Sequence, residues 1–354
     1  MFDQFTGVKP VEDRHRIDTA RLDAWMRAHV EGYAGGLVIE QFKGGQSNPT
    51  YRLSAGGRRY ALRRKPPGKL LPSAHAVDRE YKVTRALHAA GFPVARPHAL
   101  CEDEGVIGTM FYVMDCVEGR VLWDQSLPGM APADRRAIWD ELNRVIAQLH
   151  GIDVVRAGLA DFGRPGNYIA RQVDRWTKQY RASETAPIAA MDRLIEWLPK
   201  NIPAGDETCV VHGDFRLDNT IFHPGEPRIL AVLDWELSTL GHPLADFAYH
   251  AMSWHIPPGQ FRGIAGLDHA ALGIPGEAEY VATYCRRTGR GEIDPSTWDY
   301  YVAYNLFRLA AILQGIARRA LDGTAASAHA ADAGHRAPLL ADLGWKQVER
   351  ILKR

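Results

Sequence analysis

The chain has 354 residues, of which 46% are hydrophobic and 24% charged, with 43 Lys and Arg against 42 Asp and Glu. That composition excludes a largely disordered chain, and the balanced charge leaves no electrostatic footprint for nucleic acid or an anionic membrane surface. The length favours two domains.

Cys101, Cys116, Cys209 and Cys285 are widely scattered with no Cys-x-x-Cys pair, so neither a disulfide framework nor a zinc knuckle is expected, and a reducing cytoplasm fits. No apolar run approaches the roughly 20 residues that span a bilayer, so neither a membrane segment nor a targeting segment is expected.

In chain order, "GGLVIEQFKGGQSNPTYRLSAGGRRYALRR" reads as three antiparallel strands over 37–43, 49–54 and 58–64, because Gly-Gly pairs supply the positive φ angles of tight hairpins. Val77, Tyr81, Thr84, Leu87 and His88 fall at helical spacing and the pattern stops at Gly91 and Pro93, which predicts one helix after these strands. A further strand is expected over 106–114, and the acidic, glycine-containing stretch behind it is the expected boundary between a lobe of residues 1–115 and one of residues 116–354. From 132 the periodicity becomes helical, with Ile138, Leu142, Val145, Ile146 and Leu149 on one face. Helices are predicted near 168–181, 187–198, 277–287, 297–320 and 337–353, and a mobile loop over 322–338.

The chemistry concentrates in "VVHGDFRLDNTIF" and "RILAVLD": a strand, a polar loop, then a β-hairpin whose last strand ends in Asp234. A hairpin brings its two ends together, so Asp214 and Asn219 on the loop and Asp234 beyond the last strand are expected to converge. Asp and Asn oxygens suit Mg²⁺, which keeps several waters and takes phosphate oxygens as further ligands. A separate carboxylate where an incoming hydroxyl would sit accepts or orients its proton. Both requirements are those of ATP chemistry.

"HGDFRLDNTIF" followed by "VLDWE" resembles the catalytic segment of the aminoglycoside phosphotransferase-like kinases, relatives of the protein kinases and choline kinases. The resemblance implies an α+β, two-lobed protein-kinase-like fold: a small lobe of a five-stranded type of antiparallel sheet plus one helix, and a larger, mainly helical lobe, with ATP in the cleft between them. It implies that Asp214 is the catalytic base, with Arg216 beside it neutralising phosphate charge or pairing with an acid, and that Asn219 and Asp234 hold Mg²⁺. "KGGQSN" occupies the place of the nucleotide-covering loop, so Gly45, Gln46, Ser47 and Asn48 are expected at the phosphates. In "YALRR", Arg63 stands where the protein-kinase pattern Val-Ala-Ile-Lys has its lysine, with Glu80 as its ion-pair partner; whether Arg63 or Arg64 takes that place is open. "VMDCVEG" resembles the hinge, whose backbone at Asp115 and Val117 would meet the adenine edge.

The same resemblance implies that His212 shapes the loop and Asp246 ties it down, while Glu236 is expected to support the metal site indirectly and Asp218 is either a supporting partner or solvated. His242, His250 and His255 lack the spacing and cysteine partners of zinc motifs.

The acceptor is expected to be a small-molecule hydroxyl, with no nucleic-acid or membrane partner. The segment 250–280 is mostly apolar or neutral, where a polycationic aminoglycoside would call for acids. "GGQSNPTY", "LRRKPPGKLLPSAHAVDREY" and "HGDFRLDNTIF" together resemble the branch found alone in bacteria or fused to acyl-CoA dehydrogenase-type domains, which implies a hydroxyacyl or hydroxyacyl-CoA acceptor. Aminoglycoside, choline or homoserine-type phosphorylation and a catalytically silent, nucleotide-binding regulator are the alternatives.

Overall fold

A computed structural model of the chain describes residues 7–43, 48–66, 76–323 and 334–354. In chain order the elements are β1 (Val8–Lys9), α1 (Thr19–His29), β2 (Val38–Phe42), β3 (Thr50–Ala55), β4 (Arg58–Arg64), α2 (Val77–Ala89), β5 (Pro97–Cys101), α3 (Glu104–Ile107), β6 (Phe111–Asp115) and α4 (Pro132–His150). There follow α5 (Tyr168–Ser183), α6 (Ala189–Trp197), β7 (Cys209–Val211), β8 (Thr220–Phe222), β9 (Ile229–Val232), β10 (Thr239–Gly241) and α7 (Pro243–Ala251). The chain closes with α8 (His269–Leu272), α9 (Glu277–Thr288), α10 (Pro295–Leu321) and α11 (Ala337–Leu352). This is an α+β fold of the protein-kinase type, with a sheet-bearing unit and a helical unit. The first unit comprises 1–123, 155–162 and 219–238; the second comprises 124–154, 163–218 and 239–354.

In the first unit an antiparallel sheet of six strands runs in the order β1-β2-β3-β4-β6-β5. Gly56 and Gly57, with φ of +56° and +78°, close the β3–β4 hairpin as their pairing predicts. One face buries Tyr51, Leu53, Tyr60, Leu62, Phe111 and Val113 against Leu22 and Met26 of α1 and Val30 just beyond its end. On β4 the alternation of side chains sends Tyr60, Leu62 and Arg64 towards that face and Arg63 towards the other, where Glu80 of α2 meets it.

Two features of this unit differ from expectation. The strand expected over 106–114 begins only at Phe111, because Asp103 caps a turn of helix by accepting the Gly105 N–H and Gly108, with φ of +84°, ends it. α1, β1 and β5 had no predicted counterpart; β5 begins at Pro97 and has too few alternating residues to be read as a strand. Most of the loop expected over 322–338 lies outside the described residues.

The hairpin β8–β9, distant in sequence, belongs to this first unit. Phe222 and Arg120 exchange both backbone hydrogen bonds at 2.8 Å, and the Val232 N–H donates to the Pro93 carbonyl at 2.8 Å. Glycine is required at 119, where a Cβ would lie 2.1 Å from the Phe222 carbonyl oxygen.

The second unit is organised around α10, in which every residue from Trp298 to Ala311 is buried. A helix buried on all sides must satisfy its polar groups within the protein. Asn305 donates to the Ala245 carbonyl at 2.8 Å, and Arg308 to the Gly213 carbonyl at 2.6 Å. Phe247 of α7 stacks on Tyr284 of α9, and β7 pairs with β10. Among the described residues no helix is long and apolar enough to cross a membrane.

Burial pushes His242 down to about 4 and His250 down to about 3. Both stay neutral in the folded chain while the unfolded chain takes up protons below its ordinary imidazole value, so stability is full above about pH 6.5 and falls with acid. Chemical denaturation at about pH 7 and pH 5 should show a loss of about 2–4 kcal/mol, and His250→Gln should flatten the decline.

Candidate active site

The loop between β7 and β8 is anchored by one buried carboxylate of α7. Asp246 accepts the N–H groups of His212 at 2.7 Å and Gly213 at 2.8 Å, and its Oδ2 lies 3.2 Å from His150 Nε2. Burial pushes this carboxyl up, but the bond from His150 and the backbone donors outweigh it and hold it below its ordinary range. Gly213 turns the chain at φ of +82°, with its carbonyl bound by Arg308. The fully buried His212 takes the Asp214 N–H on Nδ1 at 3.1 Å, so it shapes the loop as expected.

Asp214 is therefore fixed by its backbone, and its carboxylate is fixed as well. Tyr249 donates its hydroxyl to Oδ1 at 2.6 Å, and Arg216 Nε lies 3.2 Å from Oδ2. Tyr249 escaped the sequence reading; its only signal was its place three residues after Asp246, one helical turn away on the same face. Arg308 lies over the Tyr249 ring at 4.9 Å. Asp218 is not solvated. It is buried and clamped by Arg262, whose Nε and Nη2 lie 2.9 and 2.6 Å from its two oxygens, with Arg216 3.7 Å away. Arg216 thus pairs with two acids. Arg262 holds its clamp from a left-handed backbone, φ +55°, which a non-glycine residue adopts at a cost of about 1 kcal/mol.

Asn219 and Asp234 stand together at the open end of the β8–β9 hairpin. The Asn219 carbonyl accepts the Leu233 N–H at 2.8 Å, and Asp234 follows in the left-handed region with φ of +64°. Arg63 reaches across from β4: its Nε is 2.7 Å from Glu80 and its Nη2 donates to Asp234 Oδ1 at 2.9 Å. Glu236 lies farther off, at 3.9 Å from Arg63. Burial opposes a charge on Arg63, but Glu80 and Asp234 win and keep it cationic. Arg63 and not Arg64 pairs with Glu80; Arg64 faces the opposite side, over the Tyr51 ring, and donates to the His15 carbonyl. An amide oxygen at Asn219 and a carboxylate at Asp234 are hard donors of the kind Mg²⁺ takes, and Asp234 Oδ2 has no partner among the described residues. These two residues fit the ion.

Other expected contacts fall differently. Gly45, Gln46 and Ser47 lie outside the described residues. Asn48 is buried and donates its side-chain amide to Glu80 at 2.8 Å, which makes it a brace for the Arg63 partner. Asp115 ends β6 with its N–H bound to the Arg96 carbonyl and its carboxylate 2.7 Å from His98 Nε2; Val117 follows it in the stretch leading to Arg120. His242, His250 and His255 are apart in function: they contact the Leu244 N–H, the Tyr280 hydroxyl and the Glu277 carboxylate respectively. No cluster of three or more His, Cys, Asp or Glu able to hold a metal occurs among the described residues.

The model of the phosphotransferase enzyme family matches residues 38–300, and the chain belongs to that family. It is 46% identical over 354 residues to acyl-CoA dehydrogenase family member 10 of Mus musculus, covering 98% of this chain and 33% of that protein; the chain thus spans about a third of that relative's length. A crystal structure from Ralstonia eutropha JMP134, provisionally described as an aminoglycoside phosphotransferase, shares 60% identity over 95% of this chain and 99% of that one, with a TM-score of 0.88. A thermostable mutant of aminoglycoside phosphotransferase APH(4)-Ia, in ternary complex with ADP and hygromycin B, shares the fold at a TM-score of 0.59 and 14% identity, covering 92% and 97% of the two chains.

Asp246→Ala would orphan two buried N–H groups and His150. Urea denaturation should show a loss of about 3 kcal/mol, well above that of a surface carboxylate such as Asp322→Ala.

Proposed function

We propose that the chain transfers the γ-phosphoryl group of ATP, with Mg²⁺, to a hydroxyl of a small molecule, namely a hydroxyacyl compound or hydroxyacyl-CoA. The observation that carries the reading is the Asp214 carboxylate, gripped at one oxygen by Tyr249 and flanked at the other by Arg216 on a loop whose backbone is tied to Asp246. A loose phosphoryl-transfer transition state demands positioning more than strong proton abstraction, and such a carboxylate supplies positioning.

In this reading Asp214 orients the acceptor hydroxyl and receives its proton. Asn219 and Asp234 hold Mg²⁺, which when bound neutralises charge on the phosphate oxygens. Arg63, kept charged by Glu80, steadies Asp234 and faces phosphate. The backbone of Asp115 and Val117 meets the adenine edge. The ADP in the APH(4)-Ia complex supports the nucleotide part of the reading. The four free cysteines suit a reducing cytoplasm.

The acceptor reading rests on charge. Beside Tyr249, a small cavity of the second unit is lined by Arg216 and Arg262 together with Met252, Ile256 and Phe261. Both cations are already paired with Asp214 and Asp218, so the lining offers apolar contacts for a hydrocarbon part and little free negative charge for a polycation. The acyl-CoA dehydrogenase name of the mouse relative points the same way.

Asp214→Asn should lower turnover by about 10²–10⁴-fold while ATP affinity, measured by calorimetry, stays within about twofold; undiminished transfer would sink the assignment. A coupled ADP-release assay across hydroxyacyl-CoAs and aminoglycosides should show turnover with the former, and turnover confined to aminoglycosides would overturn the acceptor reading alone.

A further inference from the structure

On the sheet face covered by α1, a cavity of ≈ 460 Å³ opens where α1 hands over to the following turn and β4 begins. It lies within the first unit, and none of the residues assigned above to phosphoryl transfer except Asp115 borders it. Its volume falls in the range of small-molecule sites, roughly 300–1,000 Å³.

Three guanidinium groups wall it: Arg58, Arg59 and Arg96. Their commitments are weak. Arg58 has no ion-pair partner among the described residues and lies over Gly32, where a Cβ would sit 2.8 Å from its Nη1; the missing side chain makes room for it. Arg96 is 3.7 Å from Glu31, a pair with 54% and 91% of its side chains exposed. Arg59 pairs with Glu118, also at the surface. Exposed pairs of this kind contribute about 0–1 kcal/mol, so a stronger anion displaces them readily.

The second observation lies in the wall beneath them. Tyr60 borders the cavity, is 2% exposed, and its hydroxyl has no hydrogen-bond partner among the described residues. A buried phenol left unsatisfied costs about 1–3 kcal/mol, which a ligand oxygen would recover. Of the carboxylates in the wall, Asp115 is engaged by His98 and Glu31 lies 3.7 Å from Arg96.

We infer that this cavity is a binding site for a phosphate-bearing small molecule, held by Arg58 and Arg96 with Tyr60 donating to an oxygen. Planar guanidinium forks match phosphate oxygens two at a time, and three of them around one pocket favour a dianion over a single carboxylate. The assignment does not depend on the acceptor or on catalysis.

Calorimetric titration of the full chain with pyrophosphate, without Mg²⁺ and at constant ionic strength, tests it. Arg58→Ala combined with Arg96→Ala should weaken binding by at least about tenfold. Tyr60→Phe, which removes only the hydroxyl, should weaken it by about threefold or more, and Asp234→Ala should leave it unchanged. Melting curves of the variants establish that they fold. Absence of pyrophosphate binding to the parent chain, binding lost in Asp234→Ala and retained in the arginine pair, or citrate binding more tightly than pyrophosphate would each overturn the assignment.

Discussion

The carboxylate of Asp246 is the constraint on which the geometry of the loop that carries Asp214 depends. Buried on α7, it accepts two consecutive backbone N–H groups and contacts His150, so the turn at Gly213 has one available conformation. Charge-assisted bonds of this kind are about twice as strong as neutral ones and gain further where water is excluded. Arg308, reaching from the buried α10, takes the carbonyl of the same turn and supports the ring of Tyr249. Asp214 therefore takes its position from the core of the helical unit as well as from His212 and Arg216 of its own loop.

A second electrostatic arrangement governs the sheet-bearing unit. Arg63 pairs with both Glu80 and Asp234, and it joins three elements distant in sequence: β4, α2 and the end of the β8–β9 hairpin. The energetic logic is that of a buried ion pair, in which desolvation is offset only when each charge keeps its partners; Asn48 and Tyr112 supply further hydrogen bonds to Glu80. Arginine in place of the lysine of the protein-kinase pattern is accommodated by engaging both acids at once, through Nε and Nη2.

Much of the site was legible because its chemistry is compressed into a short stretch. His212, Asp214, Asn219 and Asp234 announced themselves by residue type and spacing around a hairpin, and the face of β4 that carries Arg63 follows from strand alternation once the register is known. Tyr249, Arg262 and Arg308 were not legible, since each reaches the loop from an element tens of residues away and nothing local marks it. Asp218 shows the same limit: beside a polar loop it reads equally as a supporting partner or a solvated acid, and only the clamp from Arg262 decides for the buried role.

What the sequence alone determined is the run of glycine-turned strands and the main helices, together with the candidate residues Asp214, Asn219 and Asp234, because periodicity, glycine turns and the Asp–Asn–Asp order are local properties of the chain. What only the tertiary structure decided is partnership: that the hairpin 220–232 joins the sheet-bearing unit through Arg120 and Pro93, that Asn48 serves Glu80, and that three arginines and an unsatisfied tyrosine hydroxyl line one cavity. The physical reason is that burial and hydrogen-bond satisfaction are imposed by groups far apart in sequence, and their choice of partner is made only when the chain has closed around them.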